Sequence, residues 1–227
     1  MEQKKLSRIA GVLYLAIVAG GIFAEAFVRG RLVDHSDAAA TARNILSHEM
    51  LFRVGFSIEL LVFVCDSAVT ALFYILLTPI NRTLSTVATV FRGITVAMLG
   101  INLLNNFLPI LLLKGTYFQS FAPDQLQSLS LLFMKVHGMG YALGLVFFGV
   151  HCILLGYLLC NSRNVPNYFG IMMALAGICY IINSYTSFLF PAVSGVLFPV
   201  ILAPAFIAEL SLSLWLILKG ITTGPQP

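Results

Sequence analysis

The chain has 227 residues, of which 59% are hydrophobic and only 10% charged, and its mean hydropathy is +0.95. A water-soluble domain carries roughly a quarter charged residues, so this composition excludes a soluble fold. It indicates an integral membrane protein whose apolar runs are long enough to cross as helices rather than barrel strands. The formal charge of +4 comes without a basic patch interleaved with aromatics, which excludes nucleic acid as a partner.

Six apolar runs predict an all-α bundle of six transmembrane helices, one domain over residues 1–227, with spans at about 9–28, 51–77, 87–113, 129–159, 168–190 and 196–218. A basic head with Lys4, Lys5 and Arg8 precedes the first run. That run closes on Ala24-Glu25-Ala26, a spacing that also suits a cleavable signal peptide. The later runs are equally membrane-like, so it is read as a membrane helix. Residues 29–49 form the longest polar segment, mixed in sign, and residues 37–46 carry enough alanine for a short interfacial helix. His35 and His48 there read as surface residues.

The second run contains Arg53, Glu59 and Asp66. Glu59 and Asp66 are seven residues apart, which places them on one helix face about 10 Å apart along the axis. After a tight turn at 79–82, the third run carries Arg92 near its start. Thr95, Asn102 and Asn106 then fall on one face, with Asn105 beside them. The fourth run holds Lys135, His137 and His151. It exceeds the bilayer and is expected to tilt or protrude, and the pair Gly140 and Gly144 suits close helix contact. In the fifth run Gly170, Ala174 and Gly177 line one side. Residues 191–195 read as a turn. Pro199 and Pro204 are expected to kink the sixth run ahead of Glu209, and the tail 219–227 reads as frayed.

An even number of spans puts both termini on one side. Lys4, Lys5, Arg8, Arg82, Arg163 and Lys219 lie near that side, so the positive-inside rule makes it the cytoplasm. The four cysteines Cys65, Cys152, Cys160 and Cys179 have no CxxC spacing and read as small apolar residues.

One sequence pattern is more specific. Phe147-Phe-Gly-Val-His151-Cys-Ile-Leu-Leu-Gly156-Tyr-Leu-Leu is followed by Ser162 to Pro166, then Gly170 and Ala176-Gly177-Ile-Cys-Tyr180. Ala40-Thr-Ala-Arg-Asn44-Ile, Phe52-Arg53, Leu72-Phe-Tyr74-Ile-Leu-Leu and Phe91-Arg92 accompany it. Together they resemble a bacterial family of multi-pass membrane proteins known as domain of unknown function four-three-eight-six, over about residues 7–218. The resemblance implies a bacterial six-span membrane protein, and the expected location is the bacterial inner membrane. It carries no activity and no site residues.

The polar residues at membrane depth are the candidates for function. One charged residue at a helix centre costs about 2.5–3.5 kcal/mol on insertion scales, so these groups are expected to face inward and pair. Sorted by depth, Glu25, Arg53, Glu59, Lys135 and His137 form an outer layer. Asp66, Asn102, Asn105 and Asn106 form a middle layer, and Arg92, His151 and Glu209 an inner one. The pairings read from this are Arg53 with Glu25 or Glu59, Lys135 with Glu59, and Arg92 or His151 with Glu209. Asp66 finds no cation. Glu59, Asp66, Asn102, Asn106, Lys135 and His137 are the candidates for ligand binding or proton relay. Glu25, Arg53, Arg92, His151 and Glu209 are the candidates for structural ion pairs.

His137 and His151 are fourteen residues apart, about 21 Å along a helix. That spacing suits two stacked haems, but no other span offers a histidine for the opposite ligands, so haem is disfavoured. The histidines are too far apart to share a metal, and no HExxH is present, so no metal site is assigned. No GxSxG or comparable motif assigns a catalytic residue. The leading reading is a protein that binds or transports a small molecule or ion through a polar intramembrane cavity, with the lipid bilayer as its other partner. A membrane-embedded enzyme acting on a lipid or quinone-like substrate, and a structural or regulatory subunit, are the alternatives.

Overall fold

The computed structural model describes residues 2–115, 118 and 120–221, with only the backbone at residues 194 and 196–199. Every regular element among the described residues is helical, and six helices are long and apolar enough to cross a membrane. The expectation of a frayed tail falls partly on residues 222–227, outside the described residues.

Helix α1 (Glu2–Ile22) does not stop where the first apolar run ends. It widens into a seven-residue π-helix, Phe23–Arg29, in which the Gly30 N–H reaches back to the Glu25 carbonyl, and closes with the short α2 (Gly30–Leu32). Arg29 therefore belongs to a helix and not to the polar loop. The alanine-rich segment forms α3 (Ala38–Ser47), started by the Asp37 side chain accepting from the Ala40 N–H at 2.9 Å, as expected of an N-cap aspartate. Just before it, the Asp34 carboxylate accepts from the Ser36 hydroxyl and N–H, and these bonds hold it below the usual carboxylate range.

Next come α4 (Glu49–Leu77) and α5 (Arg82–Lys114). The Asn81 side chain caps α5 by accepting from the Leu84 N–H at 3.0 Å. Pro109 sits inside α5. Helix α6 (Pro123–Cys160) has 38 residues, longer at its start than its apolar run. It is followed by α7 (Asn167–Leu189) and α8 (Pro191–Leu218). Residues 191–195, read above as a turn, are the opening of α8. Pro191 occupies a first-turn position, where a missing N–H costs nothing.

The chain gathers into two compact units. The larger holds residues 1–18, 64–97 and 142–227, and the smaller holds 19–63 and 98–141. In the larger, α6 and α7 meet along glycines. A Cβ on Gly149 would lie 2.7 Å from the Gly177 carbonyl oxygen, and one on Gly156 would lie 2.7 Å from the Ala174 nitrogen. Only a hydrogen side chain permits this approach, which replaces the hydrophobic drive that lipid cannot supply. Gly11 does the same for α1 against Ser213 on α8.

In the smaller unit Val28, Leu32, Ile45, Phe52, Ile110 and Met134 form the core. A Cβ on Gly55 would lie 2.8 Å from Val28, so α4 needs a glycine there to receive it. Large apolar side chains such as Val64 and Ile101 are 60% and 72% exposed. Lipid tails solvate such faces as well as a protein core does.

Candidate functional sites in two buried charge clusters

In the smaller unit the wide π-helical turn delivers Arg29 to the interior. Its Nε donates to Glu25 Oε2 at 2.8 Å and its Nη1 to Glu59 Oε2 at 2.6 Å. The side chain of Glu59 is 4% exposed and that of Glu25 53%, so one of the guanidinium's two carboxylates is wet and the other is buried. Asn106 Nδ2 donates to the same Glu59 Oε2 at 3.0 Å. Glu59 Oε1 lies 3.8 Å from His137 Nε2, beyond hydrogen-bond reach.

His137 is held from behind by Asn102. The amide Nδ2 donates to the His137 carbonyl at 2.8 Å, and the imidazole Nδ1 lies 3.2 Å from the Asn102 carbonyl oxygen. Asn105 Nδ2 completes Asn102 by donating to its Oδ1 at 3.0 Å. Gly140 makes room for this amide, because a Cβ there would come within 2.6 Å of Asn102 Cγ. Two buried atoms around Glu59 find no partner among the described residues: Asn106 Oδ1 and His137 Nε2.

In the larger unit the charge is Arg92, fully buried on α5. Its Nε donates to Asp66 Oδ1 at 2.6 Å, and its Nη1 faces His151 Nε2 at 3.0 Å. His151 Nδ1 lies 2.9 Å from the Ala88 carbonyl oxygen. A carbonyl on one side and a guanidinium on the other select the neutral tautomer with the proton on Nδ1. Both ring nitrogens are thereby engaged.

The rings of Tyr14, Phe148 and Phe73 surround the guanidinium, with centroids 5.1, 5.3 and 5.5 Å from its Cζ. Among the described residues neither Arg92 Nη2 nor the Tyr14 hydroxyl has an oxygen or nitrogen partner, and these aromatic faces are the acceptors available to Nη2. Glu209 Oε1 accepts from the Tyr180 hydroxyl at 2.8 Å.

A third group, in the smaller unit, is exposed. Glu49 receives Lys114 Nζ at 2.5 Å and Arg53 Nε at 2.8 Å. An open hollow lined by Leu46, Ser47, Glu49, Met50 and Arg53 lies there, and Glu59 is not part of its lining. Among the described residues, no three His, Cys, Asp or Glu side chains are placed to hold a metal ion.

Residues 9–220 match the family described as Domain of unknown function (DUF4386). The chain belongs to the DUF4386 family. An uncharacterized protein of Archaeoglobus fulgidus is 26% identical over 165 residues, covering 70% of this chain and 80% of that relative. No solved structure matches.

In this DUF4386 chain, Glu59, Asn102, Asn106 and His137 come together as the sequence candidates suggested, and Asp66 does not join them. Several expected pairings are corrected. Asp66 has a cation, Arg92, which was assigned to Glu209. His151 also serves Arg92. Glu209 is met by Tyr180 instead. Arg53 pairs with Glu49 rather than with Glu25 or Glu59. Lys135 is exposed on α6 and does not reach Glu59, whose cation is Arg29.

Arg29, Tyr14 and Tyr180 were missed. Arg29 follows Glu25 by four residues, the helical ion-pair spacing, and that was a legible sign that the helix continues. The two tyrosines gave no such signal.

Proposed function

We propose that the protein binds a small polar solute or ion inside the membrane at the Glu59 cluster, as a step in moving it across the bilayer. All six spans serve as one transmembrane domain, set in a bacterial inner membrane with both termini in the cytoplasm. The observation that supports binding is the pair of open atoms, Asn106 Oδ1 and His137 Nε2, buried beside Glu59. Leaving a buried polar atom unpaired costs about 1–3 kcal/mol, and a bound solute removes that cost.

The test is native mass spectrometry of the protein in mild detergent. A reproducible adduct beyond ordinary lipid, lost in Glu59→Gln while that variant still folds and purifies as the wild type does, is the expected result. A clean apo mass, together with no solute flux in reconstituted vesicles, sinks the proposal.

The Arg92 cluster supports a second, structural reading for the larger unit. Its guanidinium is paired, fully buried and boxed by rings, an arrangement suited to fixing helix packing. Charge neutralisation at Asp66 that lowers stability and leaves any adduct in place is the outcome this reading requires.

A further inference from the structure

The open atoms of the smaller unit share one chemical character. Asn106 turns its Nδ2 to Glu59, since a carboxylate accepts only from the nitrogen end of an amide. The atom left over is therefore Oδ1, an acceptor. His137 Nδ1 faces a backbone carbonyl at 3.2 Å. Carrying the proton there makes a hydrogen bond to that carbonyl, while the Asn102 amide Nδ2, 3.3 Å from the same ring nitrogen, donates to the His137 carbonyl at 2.8 Å. With its proton on Nδ1, the neutral ring presents Nε2 as an acceptor. Glu59 Oε1 lies 3.8 Å from Nε2, and the bonds from Arg29 and Asn106 both go to its twin Oε2.

Asn106 Oδ1 and His137 Nε2, with the Glu59 Oε1 carboxylate oxygen beside them, call for a donor. The 3.8 Å separation is too long for a direct bond and fits two acceptors sharing a third atom about 2.8–3.0 Å from each. The local charge also has a sign. Glu25 and Glu59 bring two carboxylates against the single Arg29 guanidinium, so a cation is favoured over a neutral donor. The acceptors include only one histidine and one carboxylate, too few for a transition-metal site.

We infer that the Glu59 cluster takes a compact N–H donor cation of the ammonium class, held between Glu59 Oε1 and His137 Nε2 with Asn106 Oδ1 alongside. This rests on the binding reading above and names its ligand.

The experiment uses the full chain in detergent, with thermal unfolding followed against ammonium chloride and against potassium chloride at matched ionic strength. Imidazole ¹⁵N spectra of the wild type are recorded in both salts. The expected result is a saturable rise in Tm with ammonium alone, abolished in His137→Phe and in Glu59→Gln. It is accompanied by a His137 Nε2 resonance that is unprotonated at neutral pH and moves when ammonium is added. The wild-type spectrum decides the matter even where a variant fails to fold.

Equal shifts with potassium, a shift that survives in both variants, or a His137 ring doubly protonated at neutral pH would each overturn the inference. In the last case the ring's own proton fills the gap. If ammonium has no effect while native mass spectrometry shows a Glu59-dependent adduct of another solute, the ammonium class falls and the binding reading stands. If neither appears, both fall.

Discussion

The two buried clusters are built from nearly the same parts. Each has an acid from α4, a histidine from α6 and one arginine, with α5 supplying an amide beside Glu59 and the arginine itself in the other. They differ in what is left over. Around Arg92 the unpaired atoms are the guanidinium Nη2 and the Tyr14 hydroxyl, both able to donate, and three aromatic faces stand within 5.5 Å of Cζ to receive the guanidinium. Around Glu59 the unpaired atoms are acceptors, and no side chain of the cluster supplies a proton to them. Aromatic faces can satisfy leftover donors but not leftover acceptors. Similar composition therefore yields one closed cluster, which holds helices together, and one open cluster, which is completed from outside.

Breaking the closed cluster has the largest expected effect. Asp66→Ala strands a fully buried guanidinium and is expected to cost about 3–5 kcal/mol, read as a large fall in Tm or failure to accumulate in the membrane. Arg92→Lys is not expected to rescue it. A single ammonium cannot serve Asp66 and His151 in the directions that Nε and Nη1 reach. Gly156→Val comes next. It pushes a side chain into Ala174 across the α6–α7 seam and is expected to cost about 1–3 kcal/mol by overpacking, measured by the same unfolding curve.

The open cluster yields less. Glu59→Gln keeps an acceptor for Arg29, which also retains Glu25, so a loss of about 1–2 kcal/mol is expected. A fall as large as that of Asp66→Ala would erase the distinction between the clusters. The smallest effect belongs to a carboxylate outside both. Asp34 is held below its ordinary range by Ser36. Its contribution is present above the unfolded pKa and lost as pH falls through the folded one. Ser36→Ala is expected to move the Asp34 titration upward by NMR while the Tm at neutral pH stays within error. A large fall in Tm would make that exposed bond matter as much as the buried ones.

How far each feature was legible follows from its physics. The helices α4 to α7 could be read because apolar length is a local property, and the seam of Gly170, Ala174 and Gly177 because small residues at helical spacing mark a close approach. The start of α8 was misread because proline at a first-turn position opens a helix, although the same residue elsewhere ends one. Arg29 was assigned to a loop because the polar residues after residue 28 resemble a span end. The π-helical turn that carries it inward has no simple sequence signal.

The sequence by itself determined the solvent, the all-α class and the inventory of costly groups. Composition and run length settle those without reference to any neighbour. Only the tertiary structure decided who meets whom. Arg92 finds Asp66 across 26 residues and Arg29 finds Glu59 across 30. Periodicity says which face of a helix a residue occupies, but not which other helix that face will meet. Whether a buried charge is closed or left open depends on that second fact.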